Sequence, residues 1–104
     1  MLTDFQQQVY NLAAQIPRGK VATYQGIAQA LKNPNASRAV GNALNKNPYA
    51  PQVPCHRVIK SDGRVGGFAS GTKKKEMMLK KEGLKINKGK IDLKRYGYEF
   101  RIKK

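Results

Sequence analysis

The sequence predicts a mainly α, small winged-helix-like domain, and three observations carry that prediction. Apolar residues recur at helical spacing in four separate stretches. The second and third stretches are short and lie across a dense turn signal, Lys32-Asn33-Pro34-Asn35, the pattern of a helix-turn-helix. Near the C-terminus, alternating apolar and polar residues flank Asn87-Lys88-Gly89, which reads as a short β-hairpin. At 104 residues the chain supports one modest core, so it is read as a single domain whose chemistry shares that core.

Thr3-Asp4-Phe5-Gln6 forms an N-cap with its capping-box partner, and Phe5, Val9, Leu12, Ala13 and Ile16 follow on one face, predicting a first helix from about Thr3 to Ile16. Pro17-Arg18-Gly19 ends it. Thr23 caps a second helix with Ile27, Ala28 and Leu31 inward. The third runs from Ala36 to Lys46, with Ala36, Ala39, Val40, Ala43 and Leu44 buried and Ser37, Arg38, Gly41, Asn42 and Asn45 outside. That outer face is small and polar, which suits close approach to a nucleic-acid groove.

Asn47 to Pro54 holds three prolines in eight residues and reads as a stiff strut. Ser61-Asp62-Gly63 is a turn. The glycine-rich run Val65 to Gly71, around Phe68, reads as a loop against a ligand or pocket wall, with a flexible linker as the alternative. Ser70 or Thr72 caps a fourth helix ending at Lys81, with Met77, Met78 and Leu79 packing and Gly83 as its stop. The hairpin Leu84 to Leu93 then covers a core edge, and Tyr96, Tyr98 and Phe100 continue that packing.

With 21 Lys and Arg against 6 Asp and Glu, the formal charge is +15, which points to a polyanion partner and first of all to nucleic acid. A solvated basic surface is the alternative reading for part of it, notably the tail Arg101-Ile102-Lys103-Lys104. A lone cysteine excludes an internal disulfide framework, and Met1-Leu2-Thr3-Asp4-Phe5 lacks the basic start and apolar run of an export signal, so a cytoplasmic protein is expected, nucleoid-associated in a prokaryote. No apolar stretch is long enough to span a membrane, so no membrane partner is expected.

Pro54-Cys55-His56-Arg57-Val58 contains the chain's only cysteine and only histidine, side by side. A thiol acts as a nucleophile only as thiolate, and a neighbouring base and a positive charge, here His56 and Arg57, are the usual means of producing it. Adjacent residues of a strand face opposite ways, so the pair needs an irregular backbone or a bridging water to communicate. Burial of Cys55 as a small apolar residue is the alternative. One Cys and one His cannot complete a zinc site, and neither a metal nor another cofactor is expected. Glu82 opposes the dipole at the end of the fourth helix; it is either a solvated carboxylate among lysines or a partner for His56.

Pro54-Cys55-His56-Arg57-Val58 resembles the active-site signature of the O6-alkylguanine-DNA alkyltransferases, or methylated-DNA–protein-cysteine methyltransferases. The likeness runs from about Phe5 to Gly83, and Ile16 to Leu31, Ser37 to Val58 and Lys75 to Gly83 match without gaps. The resemblance implies that Cys55 accepts the alkyl group irreversibly, that His56 activates it through a water, and that Glu82 orients His56. It implies that Asn47 organises the active-site turn, that Tyr24 crowds the target phosphate and protonates the departing purine, and that Arg38 replaces the extruded base. It further implies that Ser37, Gly41, Asn42 and Asn45 meet the minor groove and that Pro51, Val58 and Phe68 wall the pocket.

The implied partner is double-stranded DNA containing O6-alkylguanine, bound by a monomer with the target base flipped out. The chain departs from the family by having only its DNA-binding and catalytic domain, and by Phe68 where tyrosine is common. Alkyltransferase-like proteins are a rival reading. They are similarly short, flip the lesion and recruit other repair factors, but have tryptophan or alanine in place of the cysteine. A transcription regulator would explain the helix pair and the charge but leaves Cys55, His56 and Glu82 without purpose.

Overall fold

The computed structural model describes residues 3–49, 52–66 and 71–100. Helix α1 (Asp4–Ala13) starts at the expected capping box, with the Thr3 hydroxyl accepting from the Gln6 amide and the Gln6 side chain accepting from the Thr3 amide. It stops before the predicted Ile16, because Gln15 and Ile16 donate to the carbonyls of Leu12 and Ala13 and so tighten the last turn. Ile16 remains buried. Strand β1 (Ala22–Thr23) leads directly into α2 (Tyr24–Ala30), whose Thr23 cap accepts from the Gly26 amide at 2.8 Å. Helix α3 (Ser37–Asn45) follows and packs on both α1 and α2. Val40, Ala43 and Leu44 form its buried stripe as expected, but Ala39 is exposed. Tyr10 ties α1 to α3 by donating its hydroxyl to the Ala43 carbonyl at 2.6 Å.

A single 3₁₀ turn, Cys55–Arg57, runs into strand β2 (Val58–Ile59), which pairs in parallel with β1, Ala22 against Val58 and Thr23 against Ile59. Strands this short carry no readable alternation, which is why the sequence does not reveal the pair. Helix α4 (Thr72–Lys81) begins after Gly71, with no side-chain cap from Thr72; Ser70, the other expected cap, lies outside the described residues. Leu79 is buried, whereas Met77, expected to pack, is 58% exposed. Gly83 ends the helix at φ +96°, a conformation that costs other residues a steric clash.

The expected C-terminal hairpin is reduced to one bridge, Asn87 with Lys90. Its backbone groups go elsewhere: Val65 donates to Gly89 and Ile91 to Gly63, so the segment pairs with 63–65 rather than lengthening its own ladder. A last short helix, α5 (Leu93–Tyr96), capped by Asp92, was not anticipated.

Two hydrophobic clusters result. The first gathers α1, α2 and α3 around Tyr10, Ile27 and Val40, and the second joins Val65, Leu79, Leu84 and Ile91. The β1–β2 pair is the partition between them. Ala22 and Val58 belong to the first cluster, while Val21 and Ile59 point into the second, as the two-residue period of extended chain requires. Among the described residues no helix is long and apolar enough to cross a membrane.

Candidate active site

The strut after α3 is held by Asn47, whose side-chain amide donates to the Val53 carbonyl at 2.8 Å while its carbonyl oxygen accepts from the Tyr49 amide at 2.9 Å. The Val53 amide also donates to the Tyr49 carbonyl at 3.0 Å, so one side chain and one backbone bond together close the loop ahead of the 3₁₀ turn. Within that turn the Arg57 amide donates to the Pro54 carbonyl, so Cys55 and His56 sit on an irregular backbone and not on an extended strand. Cys55 is half-buried against the first cluster, and His56 is buried.

Glu82 reaches the turn from the C-terminal cap of α4. One of its oxygens lies 3.0 Å from His56 Nε2. Because a carboxylate can only accept, this bond assigns the imidazole proton to Nε2 and leaves a lone pair on Nδ1. Burial pushes the His56 pKa below its ordinary value; the bond to Glu82 and its charge push back, while Arg57 and Lys75 add to the lowering. For Glu82, burial pushes upward but is outweighed by hydrogen bonds from Arg57 and His56, which hold the carboxyl below the usual range. The dipole conflict is answered here: Glu82 is a paired group and not a solvated one.

Arg57 is not placed as the sequence suggests. Instead of serving the thiol, its guanidinium forks onto Glu82, with Nε 2.9 Å from one oxygen and Nη2 2.7 Å from the other, and Nη1 donates to the Ile16 carbonyl at 2.8 Å. The cation that shares electrostatics with Cys55 is Lys75, wholly buried on the inner face of α4 two turns before Glu82. Its ammonium donates to the Tyr24 hydroxyl at 3.2 Å and lies 5.5 Å from that ring's centre. Burial pushes Lys75 down to about 8, against the pull of Cys55. Lys75 is inconspicuous in the sequence because it stands in the run Lys73-Lys74-Lys75, where a solvated lysine is the ordinary expectation; its one signal is that it shares a helix face with Leu79 and Glu82.

Tyr24, the first residue of α2, has its pKa raised by burial and by the nearby Cys55 charge. It also lines the adjoining groove, about 770 Å³ in volume, together with Gln25 and the predicted α3 face of Ser37, Arg38, Gly41, Asn42 and Asn45. Lys60, Ser61 and Asp62 form the opposite wall and were not anticipated. The ring of Tyr24 lies 3.9 Å from where a β-carbon on Gly41 would stand. Tyr24 is therefore the residue that the groove and the Cys55 cluster share. Val58, expected in a pocket wall, is instead fully buried in the first cluster and supports the turn from behind. Pro51 and Phe68, the other expected pocket residues, lie outside the described residues.

Fold and site together define a small helical domain that sets a lone thiol beside an imidazole–carboxylate pair, next to a polar groove. The chain belongs to the 6-O-methylguanine DNA methyltransferase family, whose DNA binding domain matches residues 4–84. It is 53% identical over 81 residues to the methylated-DNA–protein-cysteine methyltransferase of Methanosarcina acetivorans, covering 78% of this chain and 52% of that protein. The structure of Mycobacterium tuberculosis OGT in complex with DNA is 43% identical, with a TM-score of 0.76 over 79% of this chain and 51% of that one. S. pombe Atl1, in complex with damaged DNA containing O6-carboxymethylguanine, is 33% identical with a TM-score of 0.84, and here 95% of this chain and 99% of that chain are covered. The chain thus spans about half the length of the methyltransferases that it matches.

Proposed function

We propose that the protein repairs DNA by moving the alkyl group of O6-alkylguanine onto Cys55, once per molecule. The observation that carries this reading is the 3.0 Å pairing of His56 Nε2 with Glu82, which leaves Nδ1 as the acceptor beside the only cysteine. His56 takes the thiol proton through a water, and the thiolate attacks the alkyl carbon in line with the bond to O6. That bond breaks, its electrons pass to the purine, and Tyr24 donates a proton to a ring nitrogen, later replaced through solvent by the one His56 took from the thiol. Because Lys75 donates to the Tyr24 oxygen, the phenolic hydrogen is left to point elsewhere, which supports this role. The products are a stable thioether and restored guanine.

In this reading α2 and α3 act as a helix-turn-helix within a winged-helix-like domain, with the α3 face in the minor groove. Its small residues fit that narrow space, and Arg38 fills the stack when the target base is flipped out, at a cost of a few kcal/mol for unstacking. Duplex DNA carrying the lesion is the partner, and the protein works where that DNA is.

A second reading, damage sensing without transfer, is favoured by one observation: Atl1 superposes on 95% of this chain with a TM-score of 0.84, M. tuberculosis OGT on 79% with 0.76. The intact mass after incubation with a duplex carrying one O6-methylguanine decides between them. Transfer is expected to add one methyl, located by peptide mapping on Cys55. Cys55→Ser is expected to lose that gain and keep lesion binding. Tight lesion binding by the unaltered protein with no change in mass would establish the sensor instead.

A further inference from the structure

The transfer reading, on which this inference rests, needs a neutral imidazole at His56, yet His56 is paired with a carboxylate. A lone carboxylate 3.0 Å from Nε2 favours the imidazolium, and a ring already charged cannot accept the thiol proton. Arg57 stands where this conflict is resolved. Its Nη2 lies 2.7 Å from the same Glu82 oxygen that faces His56, its Nε holds the other oxygen, and its Nη1 is anchored to the Ile16 carbonyl. The pair is shielded, with Arg57 17% and Glu82 8% exposed at the side chain. Such a planar, two-point clamp is specific to a guanidinium and is stronger than a neutral hydrogen bond.

We propose that Arg57 is a positioning residue that balances the charge of Glu82, so that the carboxylate orients the imidazole without converting it to a cation. The other titratable groups facing His56 act in known directions. Lys75, on α4, opposes a positive ring, and Cys55 lies on the same turn. The clamp leaves Glu82 as an orienting acceptor and His56 as the base.

His56 is the only histidine, so its ring gives a single NMR signal to follow with pH. Arg57→Met is expected to raise its titration midpoint by about one pH unit, a tenfold gain in proton affinity. The acid limb of the transfer-rate profile should move upward by a similar amount. In a Glu82→Gln background the same substitution should move the midpoint much less, because the effect passes through the carboxylate. Arg57→Gln, neutral but able to keep one hydrogen bond, carries the same comparison if Arg57→Met does not fold. A midpoint that stays in place in a folded variant, or moves equally with and without Glu82, overturns the assignment. A protein that never gains a methyl defeats the transfer reading but leaves the titration readable, so the two failures are distinct.

Discussion

Lys75 is the least expected residue of the site, because a wholly buried ammonium opposes folding while its neighbours define a chemical task for it. Its displacement from 10.5 to about 8 corresponds to about 3 kcal/mol or slightly more of lost stability at neutral pH, at roughly 1.4 kcal/mol per unit. Lys75→Met, similar in length and apolar, is therefore expected to raise the urea midpoint and, in the proposed function, to slow methyl transfer at the same time, since Tyr24 loses its donor and Cys55 a cation that attracts it. A variant that is both less stable and fully active would contradict this. His56 and Glu82 set the acid side. Both have folded pKa values below their ordinary 6.5 and 4.5, so the unfolded chain binds protons first. Their contribution is complete above those ordinary values and is lost as pH falls through the lower folded ones. Denaturation midpoints should hold at about pH 7 and decline from about pH 6 downward, with Glu82→Gln flattening the lower part.

At the scale of elements, α3 combines a packing face and an approach face on one short helix. Gly41 is where they meet. A methyl there would stand 3.9 Å from the Tyr24 ring, an ordinary contact, so Gly41→Ala should stabilise the helix by about 0.5–1 kcal/mol. In the proposed function the same methyl intrudes on the surface nearest the duplex, and binding titrations should show weaker affinity in spite of a higher melting temperature. Elements also separate what was legible in the sequence from what was not. The helices were readable because Thr3 and Thr23 cap them and apolar positions such as Val9, Ile27 and Val40 repeat at helical spacing. The β1–β2 pair, α5 and the diversion of 89–91 to 63–65 depend on partners remote in sequence, and no local pattern encodes them. Within the site, Cys55 and His56 stood out by being unique, whereas Lys75 and the fork of Arg57 were hidden among charges that look solvated until α4 is docked.

For the whole molecule, +15 on 104 residues makes binding to any duplex strongly dependent on salt. The logarithm of affinity should fall linearly with the logarithm of salt concentration, by about 0.9 for each phosphate contacted, on lesion-free and lesion-bearing DNA alike. Arg38→Ala should weaken lesion binding more than non-specific binding and change the slope by less than about one, as expected if the side chain enters the base stack and not the phosphate array. The partition of the core has a different consequence. Cys55 and His56 are carried by the first cluster, and Lys75 and Glu82 are brought to them by the second, across a sheet of only two residues per strand. A chain in which the two halves have not yet met holds a thiol with no polarised base, no buried cation and no fixed carboxylate. In the proposed function, newly made or partly opened protein therefore carries a cysteine no more reactive toward stray electrophiles than that of a free peptide, and the sensitivity of the thiol becomes a measure of assembly.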